Sequence, residues 1–276
     1  MGPPELPQVP CEPGTLVIGD LHLDVFEGSG PRSFGAWLER LLPLSVPRLV
    51  ILGDLFEYWV GRGQGAEPGA GAILDGLRQL VLAGTEVDLL HGNRDFLLCS
   101  EVEGATGARV RPHGLIGLME GGRRTVFLHG DELCTGDRGY QRFRHVVRSG
   151  LVRGVVRITP LGLRRRAALA LRRRSGQSTA AKAPEVVEMK ASEALAWAER
   201  TSAQAVICGH AHSFRDEALN GEARWLVIDG WGGRRDLLRL GPGGGWAPGS
   251  SREAIQGLPH LFLLVFYCYL EHFMVF

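Results

Sequence analysis

The sequence predicts an α/β protein in which short buried strands alternate with helices. The clearest observation is the apolar run at residues 49–52, which suits a parallel strand covered on both faces. Gly53 allows a sharp turn, so Asp54 emerges at the carboxyl end of that strand. Helical spacing follows at 73–82, and another apolar run lies at 87–90. This alternation is typical of α/β folds, whose ligands bind at the carboxyl ends of the strands.

Five apolar runs, each about four residues long, end in a turn that carries Asp, His or Asn. In chain order they are 15–18 before Asp20 and His22, 49–52 before Asp54, 87–90 before Asn93, 125–128 before His129, and 205–208 before His210 and His212. Helices are expected at 34–42 and 73–82, and a late strand at 225–231. The glycine-rich run 61–71 is interpreted as a mobile rim. One such turn alone could be a solvated turn, but five favour a common site at one edge of a sheet.

Composition and charge limit the possible classes of function. The chain has 276 residues, of which 45% are hydrophobic, so it can form one large domain or one domain with an insertion. Its net charge of +1 offers no global attraction for nucleic acid, and we expect no nucleic-acid partner. The five cysteines lack metal-type pairing, and the first residues lack the apolar segment of a signal peptide. A reducing, cytoplasmic setting is therefore expected.

The side chains at the five strand ends offer oxygen and nitrogen ligands without a thiolate. The candidate metal ligands are Asp20, His22, Asp54, Asn93, His129, His210 and His212. Seven donors exceed a tetrahedral site but suit two borderline cations, such as Mn2+, Fe or Zn2+, with Asp54 as the shared carboxylate. Two such cations bind a water molecule between them and lower its pKa, so that it can attack phosphorus near neutral pH. The pattern therefore indicates hydrolysis of a phosphoester or a pyrophosphate.

The blocks D-x-H, G-D, G-N-x-D/H, H-G and G-H-x-H occur here in the order in which the calcineurin-like metallophosphoesterases carry them. The chain resembles that family. The resemblance implies an αββα sandwich, which is two sheets flanked by helices. It also implies one metal held by Asp20, His22, Asp54 and His212, and a second held by Asp54, Asn93, His129 and His210. On the same ground Asn93, Arg94 and His129 are expected to be catalytic.

Longer strings narrow the resemblance to one branch of that family. They are 51–59 (ILGDLFEYW), 91–98 (HGNRDFLL) and 129–144 (HGDELCTGDRGYQRFR). They resemble the UDP-2,3-diacylglucosamine hydrolases of lipid A synthesis, which release UMP and 2,3-diacylglucosamine 1-phosphate, usually with Mn2+. By this resemblance the substrate contacts are Asn93, Arg94, Asp137, Ser175, Thr179, Lys182 and His210. Thr179 stands where familiar members have Asn. The alternatives are another metal-dependent phosphodiesterase or nucleotide phosphatase of this fold, and a non-catalytic scaffold.

The chain is expected to divide into a metallophosphoesterase domain at 14–246, a helical cap inserted at 140–200, and a C-terminal extension at 247–276 of unknown role. One helix of the cap is expected to be amphipathic. Its apolar face carries Leu163, Ala167, Ala170 and Leu171, and its basic face carries Arg165, Arg166, Arg172 and Arg173. Such a helix could line an acyl groove and touch anionic lipid, or simply be a packed helix with a solvated face.

The expected partners follow from the branch resemblance. They are a nucleotide-lipid substrate and the cytoplasmic face of the inner membrane, to which the protein would attach peripherally. The apolar run 261–270 is too short to span a bilayer, and could be an interfacial anchor, an added strand or helix, or of no functional meaning.

Overall fold

The protein forms four layers, with two β-sheets face to face and helices on both outer surfaces. The computed structural model describes residues 5–25, 29–180, 186, 188–221 and 223–253, with backbone alone at 29 and 172–180. The strands are β1 Gln8–Pro10, β2 Leu16–Ile18, β3 Arg48–Ile51, β4 Glu86–Leu90, β5 Arg109–Arg111, β6 Leu115–Leu118, β7 Arg124–Phe127, β8 Ala205–Cys208, β9 Arg215–Ala218, β10 Arg224–Val227, β11 Leu237–Leu240 and β12 Trp246–Gly249. The helices are α1 Ser29–Leu41, α2 Pro68–Leu82, α3 Ser100–Thr106, α4 Arg138–Val147, α5 Gly150–Ile158, α6 Leu161–Ala180 and α7 Ala191–Thr201.

The two sheets have similar construction. The first sheet has the order β12-β11-β2-β3-β4-β5, in which β2 to β5 are parallel and β11 is antiparallel to its neighbours. The second sheet has the order β1-β6-β7-β8-β10-β9, with β7, β8 and β10 parallel. In the first sheet, the carboxyl ends of β2, β3 and β4 therefore lie side by side. In the second sheet, the same holds for β7 and β8.

Strand β3 shows how the sequence produces the layers. Successive side chains of a strand point to opposite faces, so Leu49 and Ile51 pack against α1 and α2 while Val50 and Leu52 pack between the sheets. All four side chains are fully buried, as a continuous apolar run predicts. On the far side, α7 covers the second sheet with Ala194 and Ala198. The predicted αββα sandwich is confirmed.

Three expectations about individual segments differ from the structure. The domain was expected to begin at residue 14, but β1 lies before that residue and pairs with β6. The glycine-rich run 61–71 is partly helical, because Pro68 is at the first position of α2, where its fixed φ favours a helix. The five strand ends do not share one sheet edge, since three belong to the first sheet and two to the second. They still meet, because the two sheets face each other.

The segment predicted as a cap begins with α4, α5 and α6, which form a helical insert at 138–180. Its last part is different, since α7 packs on β7 and β8 as part of the sandwich. At the other end, β12 continues past residue 246, and Trp37 Nε1 donates to the carbonyl of Ser251 at 2.9 Å. The division into domain, cap and extension stays a prediction, and 261–270 lies outside the described residues. Within the described ranges, every helix is too short or too polar to cross a membrane.

Candidate metal centre

The turns after the strands hold their polar residues in left-handed backbone conformations. Positive φ angles occur at Asp20 (51°), His22 (47°), Asp54 (49°), His210 (69°) and His212 (52°). Each such conformation is unfavourable for a residue with a Cβ, at a cost of roughly 1–2 kcal/mol. Backbone strain of this kind collects at functional sites, where the surrounding structure enforces it. Here the left-handed conformations occur at five of the seven candidate ligands.

Glycines beside these residues allow the backbone to approach the carboxylates. A Cβ on Gly92 would overlap with the Asp54 carboxylate, and a Cβ on Gly209 would overlap with that of Asp20. The amide of His210, next to Gly209, donates to Asp20 Oδ2 at 2.6 Å. The glycines of the G-N and G-H blocks are therefore required by close packing around the two aspartates.

Asp20, His22 and His212 form the first group of candidate ligands. His22 Nε2 lies 3.0 Å from His212 Nε2, and His212 Nε2 lies 3.8 Å from Asp20 Oδ1. The donor atoms of the three residues all lie within 4.8 Å of one another. Asp20 is buried and His212 is 46% exposed, so the group opens to solvent on one side.

Asp54 lies between this group and a second one. Its Oδ2 is 3.8 Å from both His22 Nε2 and His129 Nε2. Asp20, Asp54 and His129 also have donor atoms within 4.8 Å of one another, so Asp20 belongs to both groups. The bridging position predicted for Asp54 is compatible with this geometry.

Asn93 faces Asp54 and His129 with its amide. Its amide nitrogen, placed toward them, would donate to Asp54 Oδ2 at 2.6 Å and to His129 Nε2 at 3.2 Å. Its oxygen in the same place would meet only acceptors, and a cation among them would satisfy that arrangement. His210 completes the set, with its ring centroid 5.0 Å from that of His129. The structure thus brings all seven candidate ligands together.

The electrostatics of the cluster fit a cation. Burial lowers the pKa of His129 well below its usual range, and burial also lowers the pKa values of His210 and His212, which keeps lone pairs available at neutral pH. Burial raises the pKa of Asp20 to about 7, and it also raises the pKa of Asp54 well above its usual range. Asp20 Oδ1 is buried without a hydrogen bond. Two buried carboxylates side by side are costly, and divalent cations would neutralise them.

Arg94, predicted to bind phosphate, lies at the edge of this cluster. Its backbone amide donates to Asp54 Oδ1 at 2.9 Å, and its Nη1 donates to Glu57 Oε1 at 2.5 Å. The side chain is 35% exposed, so part of the guanidinium faces solvent. A planar guanidinium at this place suits two-point binding of phosphate oxygens.

The remaining predicted substrate contacts are Asp137, Ser175, Thr179 and Lys182. Asp137 is the N-cap of α4, where Oδ1 accepts from the amide of Tyr140 at 3.0 Å, so it has a structural role in addition to any contact with substrate. The side chains of Ser175 and Thr179, and the whole of Lys182, lie outside the described residues. Their assignments stay predictions.

Sequence reasoning missed two buried aspartates that support the cluster. Asp95 accepts hydrogen bonds from the amides of Gly92 and Leu55, at 2.8 Å each, and so ties the loop of Asn93 to that of Asp54. Asp131 accepts from Tyr140 and Arg144 and fixes α4 beside His129. Their only signal in the sequence was their place within the quoted strings, because a sequence does not show which distant amides or side chains a buried carboxylate will bind.

Comparison with known proteins agrees with this site. The family described as calcineurin-like phosphoesterase matches residues 15–214. The chain belongs to the calcineurin-like phosphoesterase family. Its similar relatives include proteins named UDP-2,3-diacylglucosamine hydrolase from Sodalis glossinidius, 34% identical over 79% of this chain and 90% of the relative; from Serratia proteamaculans, 35% identical over 82% and 94%; and from Pseudomonas paraeruginosa, 34% identical over 84% and 92%.

These findings confirm the family and the branch that the motifs predicted. As a calcineurin-like phosphoesterase with a candidate dinuclear centre, the protein is a metal-dependent hydrolase. The individual roles assigned to the ligands, to Arg94 and to the substrate contacts are not tested by similarity alone and stay predictions.

Proposed function

We propose that this protein hydrolyses the pyrophosphate bond of UDP-2,3-diacylglucosamine, releasing UMP and 2,3-diacylglucosamine 1-phosphate. The observation that carries the proposal is the juxtaposition of three features: the seven-ligand cluster, Arg94 at its edge, and a helical insert with exposed apolar side chains. Two divalent cations, with Mn2+ as the expected ion, would be held by the two ligand groups and would lower the pKa of a water for attack on phosphorus. The relatives' names support this substrate.

The chain's own residues have definite tasks in this reaction. Arg94 binds oxygens of the pyrophosphate and holds the α-phosphorus beside the cluster. Water loses one proton to the solvent, and its oxygen adds to the α-phosphorus while the bond from that phosphorus to the bridging oxygen breaks. The bridging oxygen leaves with the lipid phosphate. The neutral imidazoles of His129 and His210 provide ligands without adding positive charge.

The helical insert supports a lipid substrate. Among described residues, large apolar side chains are exposed at one position on α2, Leu82, and otherwise only on α4, α5 and α6. The exposed residues of the insert are Phe143, Val146, Leu151, Val155, Ile158, Leu163, Leu169 and Leu171. Apolar side chains concentrated in this way mark a surface that contacts apolar ligands, lipids or partners.

Two arginines of α6 make contacts within the protein, and one of them, Arg165, belongs to the predicted basic stripe. Arg164 donates to the carbonyls of Val60 and Arg62 at 2.6 and 2.7 Å, and Arg165 pairs with Glu67. These contacts attach α6 to the loop beside the site because the guanidinium groups satisfy carbonyl and carboxylate oxygens there. Among the α6 residues whose side chains are described, Leu163 is 54% exposed and Arg166 is exposed as well. The attraction to a membrane would therefore combine exposed apolar side chains with exposed arginines such as Arg166.

The reaction is tested with the purified full chain, Mn2+ and UDP-2,3-diacylglucosamine in mixed micelles. We expect UMP as a product and, in heavy-oxygen water, the label in UMP. The same preparation is assayed against a soluble phosphodiester. No release of UMP, label in the lipid phosphate, or much faster turnover of the soluble ester would each contradict the proposal.

Peripheral attachment to the cytoplasmic face of the inner membrane is tested by changing α5. Leu151 and Ile158 are 80% and 84% exposed, and the double change Leu151→Asp with Ile158→Asp should weaken binding to anionic phospholipid vesicles at least about tenfold, since it removes about 2–3 kcal/mol of apolar contact. Cosedimentation with vesicles measures the loss. Leu82→Asp is the matched control, because Leu82 is 68% exposed on α2. An equal loss for the control would contradict a membrane role of the insert.

A further inference from the structure

Glu57 lies three residues after Asp54 and touches two parts of the candidate site. Its Oε1 accepts from Arg94 Nη1 at 2.5 Å, and its Oε2 lies 3.4 Å from His22 Nδ1. The residue is 9% exposed. One buried carboxylate therefore contacts both a candidate metal ligand and the candidate phosphate-binding arginine.

The backbone fixes Glu57 in this position. Its amide donates to the carbonyl of Leu23, the residue after His22, at 3.0 Å. The amide of Trp59 donates to the carbonyl of Arg94 at 3.1 Å. The segment is also anchored by the buried rings of Phe56 and Trp59, which pack with their centroids 4.6 Å apart. The segment is thus bonded to both of the loops whose side chains Glu57 contacts.

The contact with His22 favours one of its two ring nitrogens as the metal ligand. A carboxylate beside Nδ1 favours the tautomer with its proton on Nδ1, which leaves a lone pair on Nε2. Nε2 is the atom that lies 3.0 Å from His212 Nε2 and 3.8 Å from Asp54 Oδ2. Glu57 therefore turns the free lone pair of His22 toward the cluster.

The contact with Arg94 restricts a long side chain. The guanidinium lies between Glu57 and Asp54, with Nε 3.6 Å from Asp54 Oδ2. An arginine held by a carboxylate loses less conformational entropy when it binds phosphate than one that moves freely. A glutamine at this position could not replace Glu57 fully, since it offers one oxygen and one NH2 group.

We propose that Glu57 is a positioning residue that orients His22 for metal binding and Arg94 for phosphate binding at the same time. The part that concerns Arg94 rests on the proposed function, whereas the part that concerns His22 rests on the metal centre alone. Glu57 thereby couples occupation of the metal centre to the placement of the phosphate.

The test uses Glu57→Gln in the full chain, with Mn2+ as the probe. Titration of metal-free protein, followed by electron paramagnetic resonance, should show binding of one cation weakened about 10–100-fold, as is typical when a group that orients a metal-bound histidine is changed. Glu217→Gln is the matched control, because Glu217 also pairs with an arginine, Arg215, on the exposed edge strand β9. Affinity in Glu57→Gln within twofold of the control's would overturn the part concerning His22.

The Arg94 part is tested by a double-mutant cycle with Arg94→Ala. Glu57→Gln should raise KM for the nucleotide-lipid substrate about tenfold in the parent and leave it unchanged in the Arg94→Ala background. An equal rise in both backgrounds, or none in the parent, would overturn this part. Absence of any UMP release would contradict the proposed function, but it would not affect the measured affinity for Mn2+.

A measurement on the unmutated protein keeps the proposal falsifiable if Glu57→Gln fails to fold. Nitrogen NMR of metal-free protein, with His22 assigned by comparison with His22→Gln, should show the proton of His22 on Nδ1. A proton on Nε2 would overturn the part concerning His22 without any change at Glu57. A purely structural role of Glu57 would not determine this tautomer.

Discussion

Replacing Asp54 with alanine is expected to abolish hydrolysis and to impair the binding of both cations. Asp54 Oδ2 lies at the same distance, 3.8 Å, from His22 Nε2 in one ligand group and from His129 Nε2 in the other. Loss of a shared carboxylate would leave two positive charges without the anion between them. We expect turnover to fall at least about 10³-fold, beyond the 10–100-fold typical of a group that only supports a ligand. Metal analysis and an assay of UMP release check the two effects.

The same substitution should have an unusual effect on stability. Asp54 is buried beside Asp20 and Asp95, so burial and repulsion raise its pKa and make its charge costly without a cation. Metal-free Asp54→Ala should therefore unfold at a temperature equal to or above that of the metal-free parent. The parent should gain about 2.7 kcal/mol for each bound cation from Mn2+ at 100 times its Kd, whereas the variant should gain almost nothing.

A surface carboxylate provides the control for Asp54. Asp75 is exposed on α2 and pairs with Arg78 at 3.5 Å, so Asp75→Ala should keep both the activity and the Mn2+-dependent rise in melting temperature. Scanning calorimetry with and without Mn2+ makes the comparison. Two cations retained by Asp54→Ala would contradict the bridging role.

The elements of the fold that could be predicted are those with a clear hydrophobic pattern. The continuous apolar run 49–52 identified β3, and the same pattern identified β2, β4, β7 and β8. Short strands such as β1 were missed, because Pro10 suggests a leader and its pairing with β6 is a long-range contact. The helical start at Pro68 was missed because the glycines around it suggested a loop.

The residues of the candidate site could be predicted where their type and spacing indicate a chemical role. Asp and His after a strand are potential ligands in any context, so the seven donors were found. Asp95 was not, since its function is to accept backbone hydrogen bonds from segments distant in sequence. Glu57 lay within a string that identified the branch, but its pairing with both Arg94 and His22 depends on the packing of three loops.

Replacing Asp131 with alanine is expected to destabilise the fold by about 3 kcal/mol, the lower end of the range for breaking a buried ion pair. Asp131 is fully buried, and its Oδ2 accepts from Arg144 Nε at 2.8 Å and from Tyr140 Oη at 2.7 Å. Burial alone would raise the pKa of this carboxyl, but Arg148 and Arg144 hold it well below its usual range. The substitution would leave two largely buried guanidinium groups without their common partner.

The loss should be visible as a fall in melting temperature of roughly 6–12 °C for a chain of this size. Asp131→Asn keeps the shape and one acceptor, so its effect should be smaller, about 1–2 kcal/mol. Asp216→Ala breaks a surface pair with Arg224 on the β9–β10 edge and should change stability by less than about 1 kcal/mol. Equal effects of Asp131→Ala and Asp216→Ala would show that the buried network adds nothing to stability.

The Asp131 substitution should also reach the metal centre, because Arg148 connects the two. Its Nη2 lies 3.4 Å from Asp131 Oδ2 and donates to the carbonyl of Gly92, the residue before Asn93, at 3.0 Å. Without Asp131, Arg148 is free to move, and the loop that carries Asn93 loses a support. Mn2+ affinity should therefore fall in Asp131→Ala, measured well below its melting temperature, and stay unchanged in Asp216→Ala. A stability loss without a change in affinity would restrict Asp131 to holding α4 in place.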